Sequence, residues 1–181
     1  GGSKDNIQGI DVKDYALGTV PSDVMHYAWN GSRSFETDGK INSFRTVAGL
    51  YAEAVQLVTV NPEIQSVSDL KDKKVSIGAP GSGVFFNAVD VLNAAGIDYN
   101  TDIKAQYMSF GDSTDGLKDG KIDAAFIVAG PPTPAITELC TTNSAYLVPI
   151  DGDVAATLMA SCPYYTVHSI PAETYPGQTE P

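Results

Sequence analysis

From Val55 onward, apolar residues fall alternately into short runs and into stretches at helical spacing. "VQLVTV" is rich in β-branched residues and predicts a strand. "SVSDLKDKK" carries a one-turn helix signal and leads into a second strand, "KVSIGA". Between Gly83 and Ala95 the apolar positions Val84, Phe85, Ala88, Val91 and Leu92 recur at helical spacing, and Gly96 supplies a stop. "IKAQYMSF" predicts the next strand, and Asp112 is a candidate N-cap for a short helix closed by Gly120. "IDAAFIVAG" is apolar almost without interruption, the pattern of a strand covered on both faces. A helix opened by prolines follows from Pro131 to Leu139, since proline is tolerated in a first turn. "AYLVPI" predicts a strand, Asp153 to Ser161 a helix, and "YYTVHSI" a last strand that contains His168 as a structural histidine.

The first fifty or so residues are more polar and turn-rich. In "VPSDVMHYAWNG", Ser22 or Asp23 can cap a short helix that runs to Trp29 and ends at Asn30-Gly31. "SRSFETDGKIN" reads as a surface loop ahead of the strand-like run "FRTVAGLY". Strands alternating with short helices imply an α/β fold: a three-layer, mostly parallel twisted sheet with helices on both faces and right-handed crossovers.

Composition narrows the function more than the fold. The chain has 181 residues, 43% hydrophobic and 18% charged, which is ordinary globular usage. Its net charge of −11 argues against nucleic acid as a partner, because a binder must neutralise phosphates with clustered Lys and Arg. An anionic small ligand is still compatible, since a local pocket can oppose the global field. Gly1-Gly2-Ser3 reads as a tag scar or the start of an excised piece, so any targeting signal lies outside this chain. The two cysteines, Cys140 and Cys162, lie in no CxxC pair and far from His26 and His168, which disfavours zinc. Both fall near predicted helix ends, and the residues leave open whether they form a disulfide. No metal or cofactor is expected.

The loop in "VSIGAPGSGVFFNAVDVL" carries the most chemistry. Gly78 and Gly83 have P-loop spacing, but Val84 and Phe85 stand where Lys and Ser/Thr are required. Pro80 replaces the middle glycine of a dinucleotide fingerprint. Pro80 and Val84 likewise replace the glycines of a nucleophile elbow. What survives is Gly81-Ser82-Gly83 after a strand and before a helix, where unpaired N–H groups and the helix dipole favour an anion such as a carboxylate. The same residues also make an ordinary turn and cap, and both readings stand. Gly130-Pro131 precedes another helix, on the same expected sheet edge. Ser22 and Tyr51, taken singly, read as cap or surface residues. Tyr164, Tyr165 and Tyr175 read as packing aromatics.

Taken in order, "SVSDLKDKKVSIGAPGSGVFFNAVDVLNAAGI", "YMSFGDSTDGLKDGKIDAAFIVAGPPTPAITEL", "VPIDGD" and "YYTVHSIPAETYPGQ" resemble the TAXI family of TRAP-transporter solute receptors. "VPSDVMHYAWNG" and "FRTVAGLYAEAVQLV" resemble that family's segments too, so the likeness spans nearly the whole chain. It implies a two-lobed periplasmic-binding-protein fold of which this chain is a fragment or truncated member. Residues 1–54 would be a remnant of the first lobe, 55–165 the second lobe, and 166–181 a crossover strand and tail toward the first lobe. The resemblance implies a non-enzymatic extracytoplasmic receptor, lipid-anchored or secreted. Such a receptor captures a small organic anion, glutamate, glutamine or dicarboxylate-like, for a TRAP-type membrane permease. Ligand contacts would come from Gly81, Ser82 and Gly83, from the backbone near Gly130 and Pro131, and from Ser22 and Tyr51. Self-association of a truncated chain over its exposed lobe surface is a further alternative. A ligand-sensing domain of a regulator on the same fold, or an enzyme binding a similar acid, are the rival readings.

Overall fold

Five of the six strands expected from Val55 onward pair into one sheet in a computed structural model, which describes residues 2–181. They are β1 (Ala54–Thr59), β2 (Lys74–Ser76), β3 (Lys104–Gln106), β4 (Ala124–Ala129) and β5 (Tyr146–Val148), in the order β3-β2-β4-β1-β5. β2 runs parallel to β3 and β4, whereas β1 is antiparallel to both β4 and β5. Four strands therefore share one direction and β1 alone is reversed, as expected of a mostly parallel sheet.

This sheet forms the heart of a unit comprising Ala52–Pro80 and Val84–Pro181. Consecutive β1 residues point to opposite faces, so Leu57 and Val58 enter different cores. Leu57 packs with Val75, Leu92, Phe126 and Leu158, covered by α3 (Gly83–Ala94) and α6 (Gly152–Ser161). Val58 packs with Leu117, Ile127, Ile136 and Leu139, covered by α4 (Phe110–Lys118) and α5 (Pro134–Thr142). Both faces are thus layered with helix, and each fully buried Leu, Ile or Phe contributes about 1.5–3 kcal/mol of apolar transfer. No described helix is long and apolar enough to cross a membrane.

Several local expectations change. The cap of α4 is Ser109, whose hydroxyl oxygen accepts the Asp112 N–H at 3.2 Å and donates to the Asp112 carboxylate at 2.6 Å. Asp112 sits inside the first turn, as the reciprocal partner in a cap that starts three residues earlier than predicted. α5 starts at Pro134, after a cis Pro131-Pro132 bond and the cap residue Thr133. "YYTVHSI" forms no strand and His168 is exposed. Tyr164 and Tyr165 there donate to the buried carboxylate of Asp90 on α3, at 3.3 and 3.2 Å, and these side-chain bonds replace a ladder. The final segment, 166–181, forms no strand, and its Ile170 and Tyr175 pack into the Val58 core. No disulfide joins Cys140 and Cys162. They belong to clusters on opposite faces of the sheet, Cys140 beside Leu139 and Cys162 beside Leu158, so the sheet separates their sulfurs.

The other unit comprises Gly1–Tyr51 with Gly81–Gly83. It opens with α1 (Ser3–Asp11), a helix the polar, glycine-rich sequence did not suggest. α2 (Ser22–Asn30) lies where predicted and ends at Gly31, left-handed at φ 63°. Its cap position is Pro21, not Ser22 or Asp23; the Asp23 carboxylate instead accepts the adjacent Val24 N–H at 2.8 Å. "SRSFETDGKIN" is only partly a surface loop: a turn of 3-10 helix at Arg33–Phe35 buries Phe35 completely. The Lys4 ammonium lies 5.5 Å from that ring's centre and 2.6 Å from Asp38. The strand-like "FRTVAGLY" forms no strand, and Val47 and Leu50 are 82% and 71% exposed. All five described strands lie in the other unit, so this run has no ladder partner within its own.

Candidate anion-binding site

β2 and β4 are parallel neighbours, with Val75 opposite Ala124 and Ser76 opposite Ala125, so the loops that follow them leave by one edge of the sheet. The first loop leads through Gly78 and Gly81, at φ 78° and 74°, into α3. Nothing lies within 4 Å of a Cβ built on Gly81, so backbone conformation, not crowding, favours glycine there. Behind the loop, the Ser76 hydroxyl meets the Ser113 hydroxyl at 2.7 Å, and Ser113 donates on to the Ser109 carbonyl at 2.7 Å. Both serines are buried, which pins the end of β2 from which the loop departs.

α3 is 12 residues long and carries no acidic residue in its first turn. In a chain of net charge −11, its N-terminus is therefore a local exception: N–H groups without intrahelical partners, a positive dipole end and the half-buried Ser82 beside them. Gly81–Gly83 groups with the unit that contains α2. The Pro21 ring comes within 4.0 Å of where a Gly83 Cβ would stand, which places the start of α2 beside this loop. The two helix starts differ in charge. Asp23 already sets a carboxylate on the first turn of α2, while α3 has none.

Ser22 opens onto a groove of about 400 Å³ within the same unit. Met25, Trp29 and Phe44 form its apolar wall, and Ser22, His26, Asn30, Arg45 and Thr46 are polar groups on its lining. Trp29 and Phe44 meet edge to face, with ring centres 6.0 Å apart at 83°. Arg45 Nη1 donates to the carbonyls of Asn42 at 3.0 Å and Phe44 at 2.7 Å, and among the described residues no carboxylate pairs with the guanidinium. No Asp or Glu lines this groove. A second opening in the unit, of about 550 Å³, is lined by Asp11, Asp14 and Asp38 with a single Lys40, and repels anions. Arg45, Trp29 and Phe44 are not among the residues expected to contact ligand. Their signal was one basic residue inside an apolar run, and the chain's single tryptophan.

Gly130 and Pro131 lie in the sheet-containing unit, held from behind. The Gly130 carbonyl accepts from the Thr133 hydroxyl at 3.3 Å, and the Thr133 N–H donates to the Tyr175 hydroxyl at 2.9 Å. Gln56 Nε2 donates to the Ala129 carbonyl at 3.2 Å and to Thr133 Oγ1 at 3.0 Å. Of the other expected contacts, Ser22 lies at the helix start beside the Gly81–Gly83 loop. Tyr51 is 71% exposed on an irregular segment, and no hydrogen bond ties it to that loop. Among the described residues no group of three or more His, Cys, Asp or Glu side chains could hold a metal ion.

A model of the NMT1-like family matches residues 1–181. Among solved structures, the alkanesulfonate-binding protein SsuA from Xanthomonas axonopodis pv. citri, bound to MOPS, is 20% identical. The match covers 82% of this chain and 47% of that one, with a TM-score of 0.50. The periplasmic aliphatic sulphonate binding protein SsuA from Escherichia coli is 28% identical over 54% of this chain and 31% of its own, with a TM-score of 0.44. An ancestral arginine-binding protein bound to arginine is 19% identical over 63% of this chain and 57% of its own, with a TM-score of 0.40. The chain thus spans about a third to a half of the length of the sulfonate-binding structures it matches.

Proposed function

From the premise that the chain belongs to the NMT1-like family and has a periplasmic-binding-protein fold, we propose that it is the ligand-holding part of an extracytoplasmic solute receptor. It captures a small organic anion and passes it to a membrane permease, with no chemistry on the ligand. The observation that carries this reading is the start of α3: Gly81-Ser82-Gly83 ahead of a helix with no acidic first turn, in a strongly acidic chain. A carboxylate or sulfonate head placed there accepts from backbone N–H groups and from the Ser82 hydroxyl, and needs neither Lys nor metal.

The finer parts of the proposal rest on the ordered motifs of the sequence. They make the permease TRAP-type and the ligand a glutamate-like or dicarboxylate-like acid, with Gly130, Pro131, Ser22 and Tyr51 as further contacts. Affinity then couples to closure of the lobes of the whole receptor. Calorimetry with a panel of such acids tests it. We expect saturable binding that weakens several-fold in Ser82→Ala; equal affinity in the two proteins removes Ser82 from the site.

A further inference from the structure

The groove beside Ser22 has a feature the α3 loop lacks, a fixed positive charge. We propose that Arg45 and its apolar wall form a binding site for an amphiphilic organic anion, a carboxylate or sulfonate head on a flat apolar body. The inference deepens the solute-receptor reading by naming the ligand class, and it rests on that reading.

Three observations converge. First, charge: the chain holds 22 acidic against 11 basic side chains, yet among the described residues the guanidinium of Arg45 has no carboxylate partner and the groove has no acidic lining. An exposed Arg in so acidic a chain is easily met by a neighbouring carboxylate, as Lys4 is by Asp38 and Lys118 by Glu138. Second, geometry: Nη1 is spent on the Asn42 and Phe44 carbonyls, which fixes the plane of the fork. The Nε and Nη2 edge keeps its N–H donors for a planar or tripodal anion head, at reduced entropic cost because the side chain is already anchored. Third, shape: Trp29 is 48% exposed and braced edge to face by Phe44, so a rigid ring face stands open along the same groove, with Met25 as a deformable filler. A bare inorganic anion uses only the fork, and a neutral ring only the wall; the groove suits a molecule with both.

The chain has one tryptophan, Trp29, so its intrinsic emission reports from this groove directly. The test titrates the whole chain with benzenesulfonate and benzoate, with sodium sulfate as head alone and benzyl alcohol as body alone. The same titrations are run on Arg45→Gln, Arg45→Lys and Ser82→Ala. We expect saturable Trp29 changes with both aryl acids, none with sulfate or benzyl alcohol over the same range, and about tenfold weaker binding in Arg45→Gln. Arg45→Lys keeps the charge but loses the fork, and falls between. Aryl-acid affinity unchanged in both Arg45 variants, or sulfate matching the aryl acids, overturns the inference. Binding lost in Arg45→Gln but intact in Ser82→Ala supports the groove and removes the α3 loop from the site. The opposite pattern overturns the groove and leaves the α3 loop standing.

Discussion

Tyr175 and Gln56, 119 residues apart in the chain, meet in the interior of the sheet-containing unit, where the phenol donates to the amide oxygen. The same hydroxyl accepts the Thr133 N–H at 2.9 Å, so one oxygen ties the C-terminal segment to β1 and to the start of α5. Tyr175 is 1% exposed and Gln56 2%, and neither partner has water to fall back on. Tyr175→Phe leaves a buried carbonyl oxygen and a buried N–H short of a partner, at a cost of about 1–3 kcal/mol. Urea unfolding should show a lower midpoint at unchanged slope; an unchanged midpoint means that the tail is not held through this hydroxyl.

Helices on both faces of the sheet make a paired prediction. Leu57→Ala and Ile127→Ala remove side chains from opposite cores, and each should cost about 2–5 kcal/mol. A sheet packed on one face only loses stability in one variant and almost none in the other. Denaturant midpoints for the two variants decide between these pictures.

The Asp69 carboxylate accepts from the Gln65 N–H at 3.0 Å and the Ser66 N–H at 2.8 Å, and from the Ser66 hydroxyl at 2.9 Å. The bond from the Ser66 hydroxyl, with help from the two backbone N–H groups, holds its pKa below the usual Asp value. Because the folded pKa is depressed, the stabilisation is present above the unfolded value and is lost as pH falls through the folded one. Asp69→Asn should melt below wild type at neutral pH, with the two midpoints converging as the pH drops below about 4. A gap that persists unchanged into acid contradicts this origin.

Cys140 and Cys162 sit in clusters on opposite faces, and burial pushes the Cys140 thiol up from its ordinary pKa. Unfolded without reductant, the chain should take up two alkylating groups by mass spectrometry. In the folded state at neutral pH, Cys140 should react far more slowly than a small free thiol, its thiolate being scarce. A single mass species with no alkylation after unfolding contradicts the unbonded assignment.

The sheet was legible mainly from runs of β-branched or continuous apolar residues bounded by turn residues, as in "VQLVTV" before Asn61-Pro62 and "IDAAFIVAG" before Pro131. The loop at Gly81–Gly83 and the stop at Gly31 were legible because glycine is the residue for left-handed backbone. The reversal of β1 was not, since an isolated run such as "VQLVTV" has the same pattern in either direction. "YYTVHSI" and "FRTVAGLY" misled because strand propensity records only fitness for a ladder. The first is claimed by the Asp90 carboxylate, and the second has no partner strand in its unit. Arg45 was hidden because its meaning lies in what does not surround it: a missing counter-charge is a property of the folded neighbourhood, not of sequence spacing.

If the start of α3 seats an anion, replacing Ser82 by Asp should block it. Asp caps a helix as well as Ser does, so the fold should be kept and the melting temperature held or raised. The new carboxylate occupies the N–H groups and repels any incoming acid. Calorimetry on Ser82→Asp should find no binding of organic acids that bind the wild-type chain. Wild-type affinity in this variant, with the fold intact, means that the start of α3 does not hold the anion.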